Sequence, residues 1–211
     1  MKKHMNRIKP LLLPLMLVPT LTFTACEKDD PVPEVPLETY DGLTIRFTEV
    51  EMHGDHHHAV EDPATAEVRF IYENGEVVID GNEHIHLNAE LTYLTEITIW
   101  DDGEEINGEF QPELHQFFFT GAPDEVLDYS YIDKDKDGKG VGFKGYLTVL
   151  KKTDVGFDFK VALIHFSGAG VKPAINWNDP DYANKIAGAG HHDFEGTFEL
   201  HPVQSDHDHD H

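Results

Sequence analysis

The sequence predicts an all-β domain, an antiparallel immunoglobulin-like β-sandwich with one long Gly-rich loop and at most one short helix. Three observations predict it: apolar residues alternate at period two along most of the chain, turn residues separate the alternating runs, and helical periodicity is almost absent.

The elements follow in order. Leu43, Ile45 and Phe47 share one face of a first strand. Val68 and Phe70 mark a second, and Val77, Val78 and Ile79 a third, after the turn at Asn74-Gly75. From Ile85 the pattern is long: Leu87, Ala89, Leu91, Tyr93, Ile97 and Ile99 fall on one side, with His84, His86, Asn88 and Glu90 on the other, as expected of one strand with a wet face. His115, Phe117 and Phe119 alternate next, then Leu127, Tyr129 and Tyr131, then Val141, Phe143, Leu147 and Val149. Phe157, Phe159, Val161, Leu163 and His165 form another row, and Phe194, Phe198 and Leu200 complete a set of about nine strands. The one helix expected starts at Pro180 with Asp179 as its N-cap and stops by Gly188, inside a Gly-rich connection from Ser167 to Gly190 that also carries Trp177.

Residues 1–25 read as an export signal, with Lys2, Lys3, Arg7 and Lys9 ahead of the apolar run from Leu11 to Val18. That run is too short, and too interrupted by Pro14 and Pro19, for a spanning helix. Phe23-Thr24-Ala25-Cys26 resembles a lipobox, which implies cleavage before Cys26 and a lipidated first residue. As the sole cysteine, Cys26 has no disulfide partner in the chain. Residues 26–41 read as an acidic tether with Pro31, Pro33 and Pro36 as an extended spacer, 42–203 as the sandwich, and 204–211 as a disordered His/Asp tail.

The chain carries a net charge of −24; without residues 1–25 it keeps 12 Lys and Arg against 40 Asp and Glu, a charge of −28. Such a field attracts cations and excludes nucleic acid as a partner, because phosphate backbones are bound by basic faces. Fourteen of the fifteen histidines follow residue 25, and they cluster. His53, His56, His57 and His58 share one loop with Met52 and Asp55; His84 and His86 share a strand face; His191 and His192 open the last strand; His201, His207, His209 and His211 finish the chain. Imidazole is the commonest ligand for zinc, copper and nickel, so these residues are the candidate metal ligands, with zinc first. An ordered site is expected to join His84 or His86 to His53, His191 or His192, and the loop and tail to capture metal loosely. The other reading of exposed histidines is as solvated loop residues near their ordinary pKa. His115 and His165 lie on rows with Phe and Leu, so they are expected to face inward, as hydrogen-bonded core histidines or as secondary ligands.

Asp133, Asp135 and Asp137, followed by Gly138, open like a calcium loop. Lys144 stands where an EF-hand places its bidentate Glu, so a plain Asp-Gly hairpin turn competes with the calcium reading. No nucleophile elbow, phosphate loop or His-Glu-x-x-His is present, and no enzymatic reaction is expected.

The run Glu113-Leu114-His115-Gln116-Phe117-Phe118, Tyr131-Ile132-Asp133-Lys134-Asp135 leading to Gly140-Val141-Gly142-Phe143, Val161 to His165, and Asp193-Phe194-Glu195-Gly196-Thr197-Phe198 resemble small surface β-sandwich lipoproteins of the Bacteroidetes. Glu27-Lys28-Asp29-Asp30 resembles the acidic signal that sends such lipoproteins to the outer face of the outer membrane. The resemblance covers about half the chain and implies a place beside TonB-dependent outer-membrane transporters. Together these readings predict an outer-membrane lipoprotein, facing the cell exterior, that binds divalent metal ions for a partner transporter. The competing expectation is a non-enzymatic interaction module binding a glycan, haem or a partner protein by stacking on Trp177 or Tyr182.

Overall fold

The computed structural model describes residues 40–204; Cys26 with its signal segment, most of the tether, and the tail histidines His207, His209 and His211 lie outside the described residues. Two residues assigned to the tether belong to the domain. Tyr40 is buried in the core, and the Asp41 carboxylate accepts the N–H of Asp102.

Among the described residues, twelve strands form two sheets. The larger contains β1 (Gly42–His53), β2 (His56–Ala59), β3 (Thr65–Glu73), β4 (Glu76–Ile79), β6 (Thr92–Asp101), β7 (Glu104–Glu105), β9 (Leu127–Tyr131) and β10 (Lys144–Val149), in the order β4-β3-β1-β6-β10-β9, with β2 on β1 and β7 on β6. The smaller contains β5 (His84–Asn88), β8 (His115–Thr120), β11 (Phe157–Phe166) and β12 (Gly190–Val203), in the order β5-β12-β11-β8. Every pairing among these strands is antiparallel except that of β5 with β12. The all-β prediction holds.

The alternating residues make the core as expected. Leu43, Ile45, Phe47, Val68, Phe70, Ile97 and Ile99 from the larger sheet pack with Phe117, Phe119, Phe159, Leu163, Phe194 and Phe198 from the smaller. Phe70 meets Phe194 edge-on at 5.3 Å between ring centroids, a geometry that aromatic quadrupoles favour.

Three local readings are corrected. The long strand predicted from Ile85 is two strands in different sheets, because Glu90 adopts φ +69° and the chain changes sheet there. The His56 to His58 segment is a strand rather than a loop, since Gly54 at φ +69° turns the chain back onto β1. The helix α1 (Tyr182–Ile186) starts two residues later than Pro180, with the Asp179 carboxylate accepting the N–H of Asp181.

The Gly-rich connection has a packing role. Ile175, Tyr182 and Ile186 cover Phe118, Ala162, Ile164 and Phe166 on the outer face of the smaller sheet, so β8 is buried on both faces. This is why Gln116, Phe118 and Thr120, the row turned away from the main core, are buried as well.

Candidate metal centre

Three histidines stand in one row across the smaller sheet. The register pairs His165 of β11 with His115 of β8 on one side and with His191 of β12 on the other. Directly opposed residues share a face, so the three rings meet: centroids lie 4.4 Å apart for His115 and His165, and 5.1 Å apart, nearly parallel, for His165 and His191.

Asp193 completes the group, and a β-bulge delivers it. Phe194, Phe198 and Leu200 point inward from even positions of β12, whereas His191 belongs to the odd row. The register slips between Leu163 and Ile164: Phe194 opposes Leu163 and His192 opposes Ile164, leaving Asp193 as the extra residue. Both Asp193 and Phe194 are therefore buried, and the side-chain parity changes between them. Asp193 Oδ2 lies 3.7 Å from His115 Nε2 and 3.6 Å from His165 Nδ1, while Oδ1 lies 3.2 Å from His191 Nε2. One ligand atom each from His115, His165 and Asp193 fall within 4.8 Å of one another. Tetrahedral zinc with bonds of 2.0–2.1 Å separates its ligands by about 3.3 Å, so small rotations would close the three onto one ion.

The surroundings fix this geometry. His115 Nδ1 lies 3.0 Å from the Gln111 carbonyl, which can only accept, so that nitrogen carries the proton and Nε2 offers its lone pair toward Asp193. Burial pushes His115 down to about 4, outweighing the raising effect of the Gln111 bond, and the neighbouring His165, Lys172 and His191 add to the depression. At neutral pH the ring is neutral, the form that ligates metals. The hydroxyls of Tyr40, just ahead of β1, and of Tyr72 in β3 donate to the Asp193 carbonyl at 3.3 and 3.1 Å, and Phe110, from the connection before β8, stands edge-on to His115 at 5.1 Å. The Asp193 carboxylate is 0% exposed, the His115 side chain 2%, that of His165 10% and that of His191 39%, so His191 forms the door through which an ion would pass.

The other sequence candidates lie elsewhere. His53, His56 and His58 cluster on the β1–β2 hairpin. His86 meets His201 at 5.4 Å between centroids, and His84 Nδ1 lies 3.2 Å from Glu199, so the strand pair β5–β12 joins these residues to one another rather than to His53, His191 or His192. His192 faces outward beside Glu195 and the Tyr182 hydroxyl.

Of the candidate calcium ligands, Asp133 accepts the N–H groups of Gly142 and Phe143, and Asp135 accepts those of Asp137 and Lys139 while its other oxygen lies 3.3 Å from the buried Lys172 ammonium. Although burial works against its charge, the Lys139 amide, the Lys172 ammonium and the Asp137 amide hold the Asp135 carboxyl below its ordinary range. A lysine thus supplies this loop with its cation, and the Asp137 side chain stays half exposed. Trp177 packs against Tyr129 and the core, and Tyr182 stacks on Phe118; both side chains stay partly exposed.

Asp193 was not among the candidates read from sequence. Regular alternation puts His191 and Phe194 on opposite faces, and the bulge that brings both inward and buries Asp193 is visible only in the strand register. Comparison with protein-family models, with curated proteins and with solved structures finds no match.

Proposed function

We propose that this protein is a lipid-anchored surface protein that binds a divalent transition metal, zinc first and copper or nickel next, through His115, His165 and Asp193, with His191 at the entrance. One observation carries the reading: a buried carboxylate and two buried imidazoles offer ligand atoms within 4.8 Å of one another. Buried charges are expensive unless paired or ligating, and a set of two nitrogens and one oxygen with a further imidazole beside it suits zinc. The bond from His115 to Gln111 is the kind of outer contact that orients metal-binding histidines.

Anchoring through Cys26, display outside the outer membrane and delivery of the ion to a TonB-dependent transporter belong to the same proposal and rest on the sequence features of residues 1–41 and on the lipoprotein resemblance. So does the immunoglobulin-like kinship of the fold, which is supported by two facing sheets around one aromatic core.

The test is zinc titration by calorimetry on the full chain, repeated with Asp193→Asn and with His165→Gln. Binding of roughly micromolar strength or tighter that both changes remove, and that His84→Gln leaves in place, supports the centre. A titration from which neither Asp193→Asn nor His165→Gln removes any binding phase overturns it. For the anchor, Cys26→Ser should release the protein from the membrane fraction; persistence there would refute lipidation at this residue.

A further inference from the structure

Strand β1 runs beyond its pairing with β6, which ends at Val50, and turns at Gly54 into β2. The hairpin register pairs Glu51 with His58, Met52 with His57, and His53 with His56. Opposed residues share a face and successive residues alternate, so Glu51, His53, His56 and His58 occupy one face and Met52 and His57 the other. The side chains follow. His57 Nδ1 lies 2.7 Å from the Tyr146 hydroxyl on its own side. On the opposite face His58 meets His53 at 4.8 Å and His56 at 5.4 Å between ring centroids, and Glu51 Oε1 lies 3.3 Å from His53 Nε2.

These residues are exposed, and no apolar core gathers them. Three imidazoles and a carboxylate on one face of a two-stranded ribbon are a donor set for a transition ion. We propose that this face is a second metal site, which takes one divalent transition ion through His53, His56 and His58 with Glu51 as the fourth donor. The rings now pack edge to face; turning them onto a common ion needs side-chain rotations that exposed residues make in nanoseconds. Nitrogen-rich sites hold copper(II) more tightly than nickel or zinc, which makes copper(II) the probe of choice. Solvent reaches this face directly, and the surrounding negative charge raises the local concentration of cations.

The site is independent of the buried centre. Tyr40, just before β1, bonds to Asp193, whereas the hairpin lies at the far end of this strand of 12 residues, roughly 35–40 Å away at about 3.3 Å per residue. One ion cannot serve both, so each site can fail without the other.

The experiment is copper(II) titration of the full chain carrying His165→Gln, which removes a ligand of the buried centre, together with His207→Gln, His209→Gln and His211→Gln, read by electron paramagnetic resonance. The expected result is a signal split by at least two imidazole nitrogens that His56→Gln with His58→Gln weakens tenfold or more, while His57→Gln leaves it intact. His58→Gln alone, with an unchanged thermal midpoint, should weaken it as well, which separates ligand loss from unfolding. Copper binding that is absent, that survives the double change, or that His57→Gln weakens equally would overturn the proposal; the last outcome would mean a loose histidine tract rather than one face.

Discussion

Asp193 and Phe194 are neighbours in sequence, yet both side chains enter the core, because the bulge in β12 spends its extra residue on Asp193. The strand so carries His191 and Asp193 beside His115 and His165 at its start and an aromatic core row thereafter. Asp193→Asn keeps the shape and removes the charge. Partners that merely orient a ligand change metal affinity by about 10–100-fold, so loss of a ligand should cost at least that. Calorimetric zinc titration checks it; a change below threefold would remove Asp193 from the site.

Tyr72 joins the two sheets over the centre by donating to the Asp193 carbonyl from β3. Tyr40 donates to the same oxygen, so Tyr72→Phe leaves the carbonyl partnered. The expected loss of stability is about 1 kcal/mol, the usual net worth of one hydrogen bond. Chemical denaturation measures it, and a loss above about 3 kcal/mol would show that the hydroxyl does more than this bond.

Lys172 is enclosed, with its ammonium donating to the Pro112 carbonyl at 2.6 Å and lying 3.3 Å from Asp135. Burial pulls its pKa down, against the pull of Asp135 upward. Removing one partner of a buried pair strands the other, so Lys172→Met should destabilise the fold by about 3–5 kcal/mol. Adding Asp135→Asn should restore part of the loss. A double variant worse than the sum of the single changes would contradict the pairing.

The sequence made the core legible and the connections less so. Period-two alternation identified Leu43, Phe70, Phe117 and Phe198 correctly, because each strand packs one face on a common interior. The same alternation concealed the break at Glu90, since Leu87, Tyr93 and their neighbours point into one core from two different sheets. His115 and His165 were legible as inward-facing, but their meeting depends on a pairing of β8 with β11 across a long intervening chain, which local pattern does not encode. Asp193 stayed hidden because a bulge is a departure from the very periodicity used to read the strand.

Gly196 holds the space where the sheets touch. A Cβ there would stand 2.7 Å from ring atoms of both Phe70 and Phe194, which are themselves packed edge to face. Neither ring is the loose end of a flexible chain, so Gly196→Ala should cost about 1–3 kcal/mol as overpacking. At roughly 2–4 °C per kcal/mol for a domain of this size, a thermal scan should show the midpoint falling by several degrees. An unchanged midpoint would mean that the sheets separate more easily than their packing implies.

The buried phenols make the fold sensitive to alkali. Burial, first of all, pushes Tyr93 up to about 12; the Asn88 N–H donated to its oxygen favours the phenolate and the charge of Glu49 opposes it. In the unfolded chain a tyrosine titrates near 10. Between about 10 and about 12 the unfolded state therefore binds fewer protons than the folded state, and stability falls as pH rises. Each pKa unit is worth about 1.4 kcal/mol, so Tyr93 alone should withdraw about 2–3 kcal/mol across that window. Burial raises Tyr129 and Tyr131 as well, which adds loss of the same sign. Guanidinium denaturation from pH 8 to 12 should show flat stability to about pH 9 and a steepening decline above it. Tyr93→Phe, which forfeits the Asn88 bond at every pH, should decline less steeply than the parent. Equal slopes for the two proteins would mean that Tyr93 ionises as readily in the folded state as in the unfolded chain.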